Sequence, residues 1–293
     1  MTDTGFEQLL GELRPKLHRY CSRMTGSVID GEDVVQEAFV KAVKARPQAG
    51  EIAQPERWLF RIAHNAALDF LRRRARAEAR ASNEDPETMV DPNDERPDPD
   101  VLATSLRTFM RLPRVQRSSV ILMDVLGYSL NEIGEIMEAS LPAVKSALHR
   151  GRTRLHELAA EPDDVPPPEL SAGERTLLAA YIERFNARDY DAVRTMLAEE
   201  VRLDLVNRLQ LTGKAEVSGY YARYAQAAPR RLELGFVDNR PALLAYEDSA
   251  PSVLAYFIIL EWSGSNVARI RDFLYAPYAL DGALVISDLA FKR

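Results

Sequence analysis

Two short stretches divide this chain more firmly than anything else in it. SNEDPETMVDPNDERPDPD, within residues 77–100, and EPDDVPPPEL, residues 161–170, combine acids with prolines and hold few large apolar side chains. Proline cannot donate a backbone hydrogen bond, and a proline-rich acidic run buries too little apolar surface to offset its ordering, so both stretches read as linkers. Three units remain, residues 1–76, 101–160 and 171–293. A chain of 293 residues is about twice a typical domain, which agrees with such a division.

Charge follows the same boundaries. The overall net charge is −6, yet residues 1–76 and 101–160 each carry +3, the two linkers −7 and −4, and the last unit −1. A uniformly acidic chain would repel nucleic acid; this one concentrates its acids in the linkers and leaves two basic units. The single cysteine, Cys21, rules out an internal disulfide, and no Cys/His cluster offers a metal site or holds a cofactor. The longest apolar run, Val253 to Leu260, is far shorter than the roughly 20 residues that span a bilayer. The expectation is a cytoplasmic protein with no membrane partner.

Both basic units carry helical signals. Asp30 and Asp33 resemble a capping box, with Val35, Ala38, Phe39 and Ala42 following at helical spacing. A helix opens at Pro55 and runs through RWLFRIAHNAALDFLRRRAR to Arg72, Arg73, Arg74 and Arg76, where cations suit the helix dipole and equally suit phosphate. In the second unit Ser129 and Glu132 form a capping box for a short helix ending near Met137. A turn at Ala139-Ser140 leads to a helix from Leu141 with Val144, Leu148, Gly151 and Leu155 on one stripe. No acid interrupts residues 139–156, and Lys145, Ser146, His149, Arg150 and Arg152 lie largely off the stripe. Two helices, a tight turn and a basic outer face match a helix-turn-helix.

DGEDVVQEAFVKAV, RWLFRIAHNAALDFLRRR and LPRVQRSSVILMDVLGYSLNEIGEIMEASLPAVKSALHRGRTRL together resemble the two helical domains of group IV, or extracytoplasmic-function (ECF), sigma factors of RNA polymerase. The resemblance implies a non-enzymatic partner of core RNA polymerase that binds promoter DNA, as duplex and as melted non-template strand. Asp30, Asp33, Val34, Gln36, Glu37 and Phe39 would dock polymerase. Trp58, Phe60 and Asn65 would hold a flipped base of the downstream promoter element, with Arg61, Arg72, Arg73 and Arg74 on backbone. Ser140, Lys145, Ser146, His149, Arg150 and Arg152 would read the upstream element. The recognition turn departs from the family pattern in having Ala139 for Gly and Ala143 for Thr, the latter removing one hydroxyl contact.

The third unit opens on a capping box, Ser171 and Glu174, followed by Leu177, Leu178, Tyr181, Ile182 and Phe185 at helical spacing. The pattern then turns to strands: VRLDLV, SVLAYFIILEW and a hairpin through FLYAPYAL-DG-ALVISDLAF with its turn at Asp281-Gly282. The order resembles the SnoaL-like branch of the nuclear transport factor 2-like superfamily, an α+β cone. The fold class expected is therefore two all-α domains followed by a SnoaL-like cone, which regulates in cis and has a cavity for a small ligand. Asp204 and Asp272 are its candidate inward acids, and the unit has no histidine for acid/base work. Two other readings fit parts of the chain: a ligand-sensing helix-turn-helix regulator, and a SnoaL-like isomerase or cyclase fused to a DNA-binding module.

Overall fold

The structure, a computed structural model, describes residues 3–78, 98, 101, 104–159, 161, 168–226, 228–247 and 253–287. Most of the acidic stretch 77–100 and residues 162–167 of the second linker lie outside these. The chain divides into two units, residues 1–164 and 165–293.

In the first unit α1 (Asp3–Thr25) turns at Gly26 into α2 (Val28–Ala45), and α3 (Pro55–Glu78) completes the first helical segment. Ser27, not Asp30, caps α2: its hydroxyl accepts from the N–H groups of Ile29 and Asp30, because an acceptor just before the first turn reaches the unpaired donors. Gly31 lets α1 and α2 touch, since a Cβ there would sit 2.6 Å from the Ser22 nitrogen. The second segment comprises α4 (Leu106–Met110), α5 (Arg114–Val120) with a π-helical turn at Ile121–Val125, α6 (Leu130–Met137) and α7 (Leu141–Ala159). Gly151 brings α7 onto α5, where a Cβ would meet Val120 at 2.6 Å.

Residues 1–76 and 101–160, separate units in the sequence reading, share one hydrophobic core. Leu17, Tyr20, Met24, Val35, Phe60 and Ala67 pack with Ile121, Leu122, Ile133, Val144 and Leu148. At the seam the Tyr20 hydroxyl lies 2.7 Å from Nδ1 of His64 and 3.2 Å from the Ser118 hydroxyl. Buried Arg117 donates to the carbonyls of Met24, Met110 and Leu112.

The second unit starts with α8 (Ala172–Asn186), whose Ser171–Glu174 capping box forms in both directions, and α9 (Tyr190–Thr195). Then come β1 (Leu197–Leu205), β2 (Leu209–Thr212), α10 (Lys214–Gln226), β3 (Arg230–Val237), β4 (Arg240–Glu247), β5 (Leu254–Ser263), β6 (Asn266–Asp272) and β7 (Val285–Ser287). The sheet order is β2-β1-β6-β5-β4-β3-β7, with β1 and β6 parallel and the other pairs antiparallel. Helices α8 and α10 pack on one face through Leu178, Tyr181, Val217 and Tyr221 against Leu203, Leu243, Tyr256 and Ile270. This is the α+β architecture expected, with one correction. The Asp281-Gly282 turn joins no hairpin, because β7 pairs with β3. The intervening chain instead seats Phe273 on Phe257, ring centroids 4.1 Å apart, and buries Ala276 and Ala279. Among the described residues no helix is long and apolar enough to cross a membrane.

Candidate nucleic-acid interface

Helix α3 presents its outer stripe by simple periodicity. Trp58, Arg61, Asn65 and Arg72 recur three, four and seven positions apart and fall on one side, whereas Phe60, two positions from Trp58, points about 200° away. Phe60 is accordingly a core residue, fully buried, with its ring 6.0 Å from that of Tyr20 and 5.1 Å from that of Tyr128. It does not wall a base together with Trp58, and that expectation is corrected. Trp58 is half-buried against Phe6, and with Ile52, Gln54, Arg57 and Arg61 it lines a surface cavity of about 410 Å³; Asn65 is exposed. Arg57 is a lining residue that the sequence reading passed over.

The terminal arginines are tied down. Arg72 pairs with Asp69 at 3.1 Å, Arg73 with Glu37 at 2.7 Å and Arg74 with Asp30 at 3.7 Å. Glu37 also takes Lys41 at 2.9 Å; burial raises its carboxyl, but these two cations overcome it and hold the group below its ordinary range. The acids assigned to polymerase therefore also align α2 with α3. Val34 is fully buried and Asp30 nearly so, so Val34 is corrected from a docking to a core residue. Phe39 is half-buried under the Arg14 guanidinium, 5.3 Å from its ring. The outer face of α2 is Asp33, Gln36, Glu37 and Val40, the last 53% exposed and absent from the sequence-based set.

The helix-turn-helix forms as expected. The Ser129–Glu132 capping box opens α6, and Glu138 closes it in the left-handed region at φ 54°. The Ser140 hydroxyl accepts from the Ala143 N–H at 3.4 Å, so this side chain caps the recognition helix. Val144, Ala147, Leu148, Leu155 and Leu158 face inward; Pro142, Lys145, Ser146, His149 and Thr153 form the outer side. Arg150 is half-buried, as are Lys145, Ser146 and His149. Arg152 turns inward, away from Lys145 and His149. Its guanidinium grips the buried Asp124 carboxylate in two bonds of 3.1 and 2.5 Å, with the Arg152 side chain 11% exposed. Burial pushes the Asp124 carboxyl up, opposed by Arg152 and by the Asp98 N–H.

The first helix of the motif lies along α3. Arg57 donates to Glu132 at 2.9 Å and to Glu135 at 2.8 Å, and Arg61 stands 3.6 Å from Glu138. Beside them Tyr128 donates to Glu56 at 2.5 Å, and the Lys16 ammonium, 2.6 Å from Glu56, sits 4.2 Å over the Tyr128 ring. Burial is the larger influence on Glu56, yet Lys16 and Tyr128 keep its carboxyl low.

In the second unit Asp272 does point inward, beneath the sheet. Tyr220 and Tyr224 donate to one carboxylate oxygen, the latter at 2.8 Å, and the Leu274 N–H donates to the other at 2.8 Å; Tyr256 lies 2.8 Å from Tyr224. Burial pushes the Asp272 carboxyl up. Asp204 is also buried, 3.8 Å from Arg271.

Residues 9–77 match the family Sigma-70 region 2, and residues 106–155 match Sigma-70, region 4. The ECF RNA polymerase sigma factor SigE of Mycolicibacterium smegmatis is 33% identical over 161 residues, 54% of this chain and 62% of SigE, so the chain spans under two thirds of that relative. RNA polymerase sigma factor CarQ of Myxococcus xanthus is 31% identical over 157 residues, 54% of this chain and 90% of CarQ. A solved structure of a putative polyketide cyclase from Pseudomonas putida aligns with 36% of this chain and 91% of its own, at 20% identity and a TM-score of 0.28.

Proposed function

Because this chain belongs to the ECF sigma factors of RNA polymerase, we propose that it binds core polymerase and directs it to promoters without chemistry of its own. The observation that carries the reading is the pairing, within one helical unit, of an outer α3 stripe with the outer side of the recognition helix: Trp58 and Arg61 lining a cavity with exposed Asn65 on the same stripe, and half-buried Lys145, Ser146 and His149 on α7. The first set has the aromatic surface, amide and cations that a single strand needs, and the second presents an acid-free face to a major groove. Asp33, Gln36 and Glu37 on α2 are the polymerase-docking candidates, with Phe39 at their border.

The sheet unit acts in cis on this reading. Asp272, the more deeply buried of its two buried acids among the described residues, has both carboxylate oxygens engaged by phenols and a backbone N–H, and the rings around it pack on one another, as with Phe185 and Tyr224 at 5.1 Å. That arrangement supports a packed regulatory module rather than acid/base catalysis. Run-off transcription by core polymerase with the full chain tests the proposal. Promoter-specific transcripts are expected, and failure to associate with core polymerase overturns it.

A further inference from the structure

The two helices of the helix-turn-helix differ in charge. Residues 139–156, the turn and all but the last three residues of the recognition helix, contain no acid, whereas LNEIGEIME, residues 130–138, contains three and no base. Those three, Glu132, Glu135 and Glu138, recur every third position, the first two about 4.5 Å of rise apart within α6 and the last at its C-cap. They meet Arg57 and Arg61, one turn apart on α3, and Glu135 reaches the rim of the Trp58 cavity. A row of carboxylates thus stands where the backbone of a strand stacked on Trp58 would run.

We propose that Arg57 and Arg61 form a backbone-binding edge for single-stranded DNA, and that Glu132, Glu135 and Glu138 occupy this edge as an internal competitor. The proposal rests on the sigma-factor reading and adds to it a binding residue, Arg57, and a control. These pairs are built to exchange. Glu135 is 57% exposed and Glu138 65%, so their pairs with Arg57 and Arg61 remain hydrated and individually weak, whereas the Arg57–Glu132 pair is more sheltered. Arg152 and Asp124 in the same unit show the contrast, a bidentate pair with a carboxylate wholly shielded from water. Strand capture and the α6–α3 contact then compete for the same two guanidinia, so capture favours separation of α6 from α3 and separation favours capture.

The test is binding of a fluorescein-labelled, mixed-sequence 20-nucleotide single strand to the full chain, read by anisotropy across a salt series. Glu135→Gln/Glu138→Gln keeps the Glu132 capping box and is expected to bind about three- to tenfold more tightly, the range two exposed ion pairs supply. Glu199→Gln/Glu200→Gln makes the same charge change in the sheet unit and is expected to shift affinity less than about twofold. Adding Arg57→Gln to the first double variant should cancel the gain and lower the salt slope by about one. Equal affinities for wild type and Glu135→Gln/Glu138→Gln, or an equal gain from the control pair, would overturn the proposal. Parallel run-off transcription separates the two readings: a chain that initiates but shows no gain refutes the competitor alone, whereas a chain that ignores core polymerase refutes the sigma reading.

Discussion

Arg117 of α5 donates to the backbone carbonyl of Met24 at 2.6 Å, joining positions 93 apart in sequence. The same guanidinium donates to Met110 and Leu112, so one buried cation closes α1 and anchors the second helical segment. Arg117→Ala leaves three acceptors short of a donor, and we expect the first unit to lose about 3–5 kcal/mol. Arg117→Lys should recover part of this. Urea unfolding of the full chain, followed by a signal assigned to the helical unit, checks both; a loss below about 1 kcal/mol would contradict the role.

His64 makes the same seam sensitive to acid. Burial, with a smaller push from Arg72, brings its imidazole down to about 4, against about 6.5 in an unfolded chain. Below about pH 6.5 the unfolded chain takes up a proton that the folded chain refuses until about pH 4. Stability is therefore unaffected by this group at pH 8 and falls as pH drops through that window, by at most about 3 kcal/mol. The difference in unfolding free energy between wild type and His64→Gln, measured from pH 8 to 4.5, should move against wild type as the pH is lowered.

Glycines at two helical positions should respond in opposite directions. Gly31→Ala drives a methyl to 2.6 Å from the Ser22 nitrogen, which is backbone and cannot swing away, so α1 and α2 must part at a cost of about 1–3 kcal/mol. Gly11→Ala meets nothing within 4 Å and should gain about 0.5–1 kcal/mol from helix propensity. Thermal unfolding of the two variants decides; similar shifts would refute the close approach.

Lys145 and Arg152 are both basic residues of the recognition helix, and the structure separates them. Arg152→Gln strands the buried Asp124 carboxylate and should destabilise by about 3–5 kcal/mol. Lys145→Gln leaves no buried Asp124 carboxylate stranded and should cost less stability than Arg152→Gln, yet lower the salt slope for duplex DNA by about one. Denaturation and a salt titration on each variant read the two effects independently.

Local chemistry made much of this protein legible from its sequence. The Ser129 and Ser171 capping boxes, the Pro55 helix start, the helix-turn-helix and the strand-rich last unit depend on contacts a few residues long, which spacing alone displays. Tertiary structure decided the rest. Periodicity shows that Trp58 and Phe60 face apart, but only the arrival of Tyr20 and Tyr128 makes Phe60 the buried one. Arg152 is drawn from the DNA face by an acid 28 positions away, and Asp281-Gly282 loses its hairpin because β3 offers β7 a free edge. Arg57 could not be matched with Glu132, since nothing in either segment records which helix packs alongside. Such pairings depend on how a shared core orients whole helices and strands, and that is a property of the folded chain rather than of any stretch of its sequence.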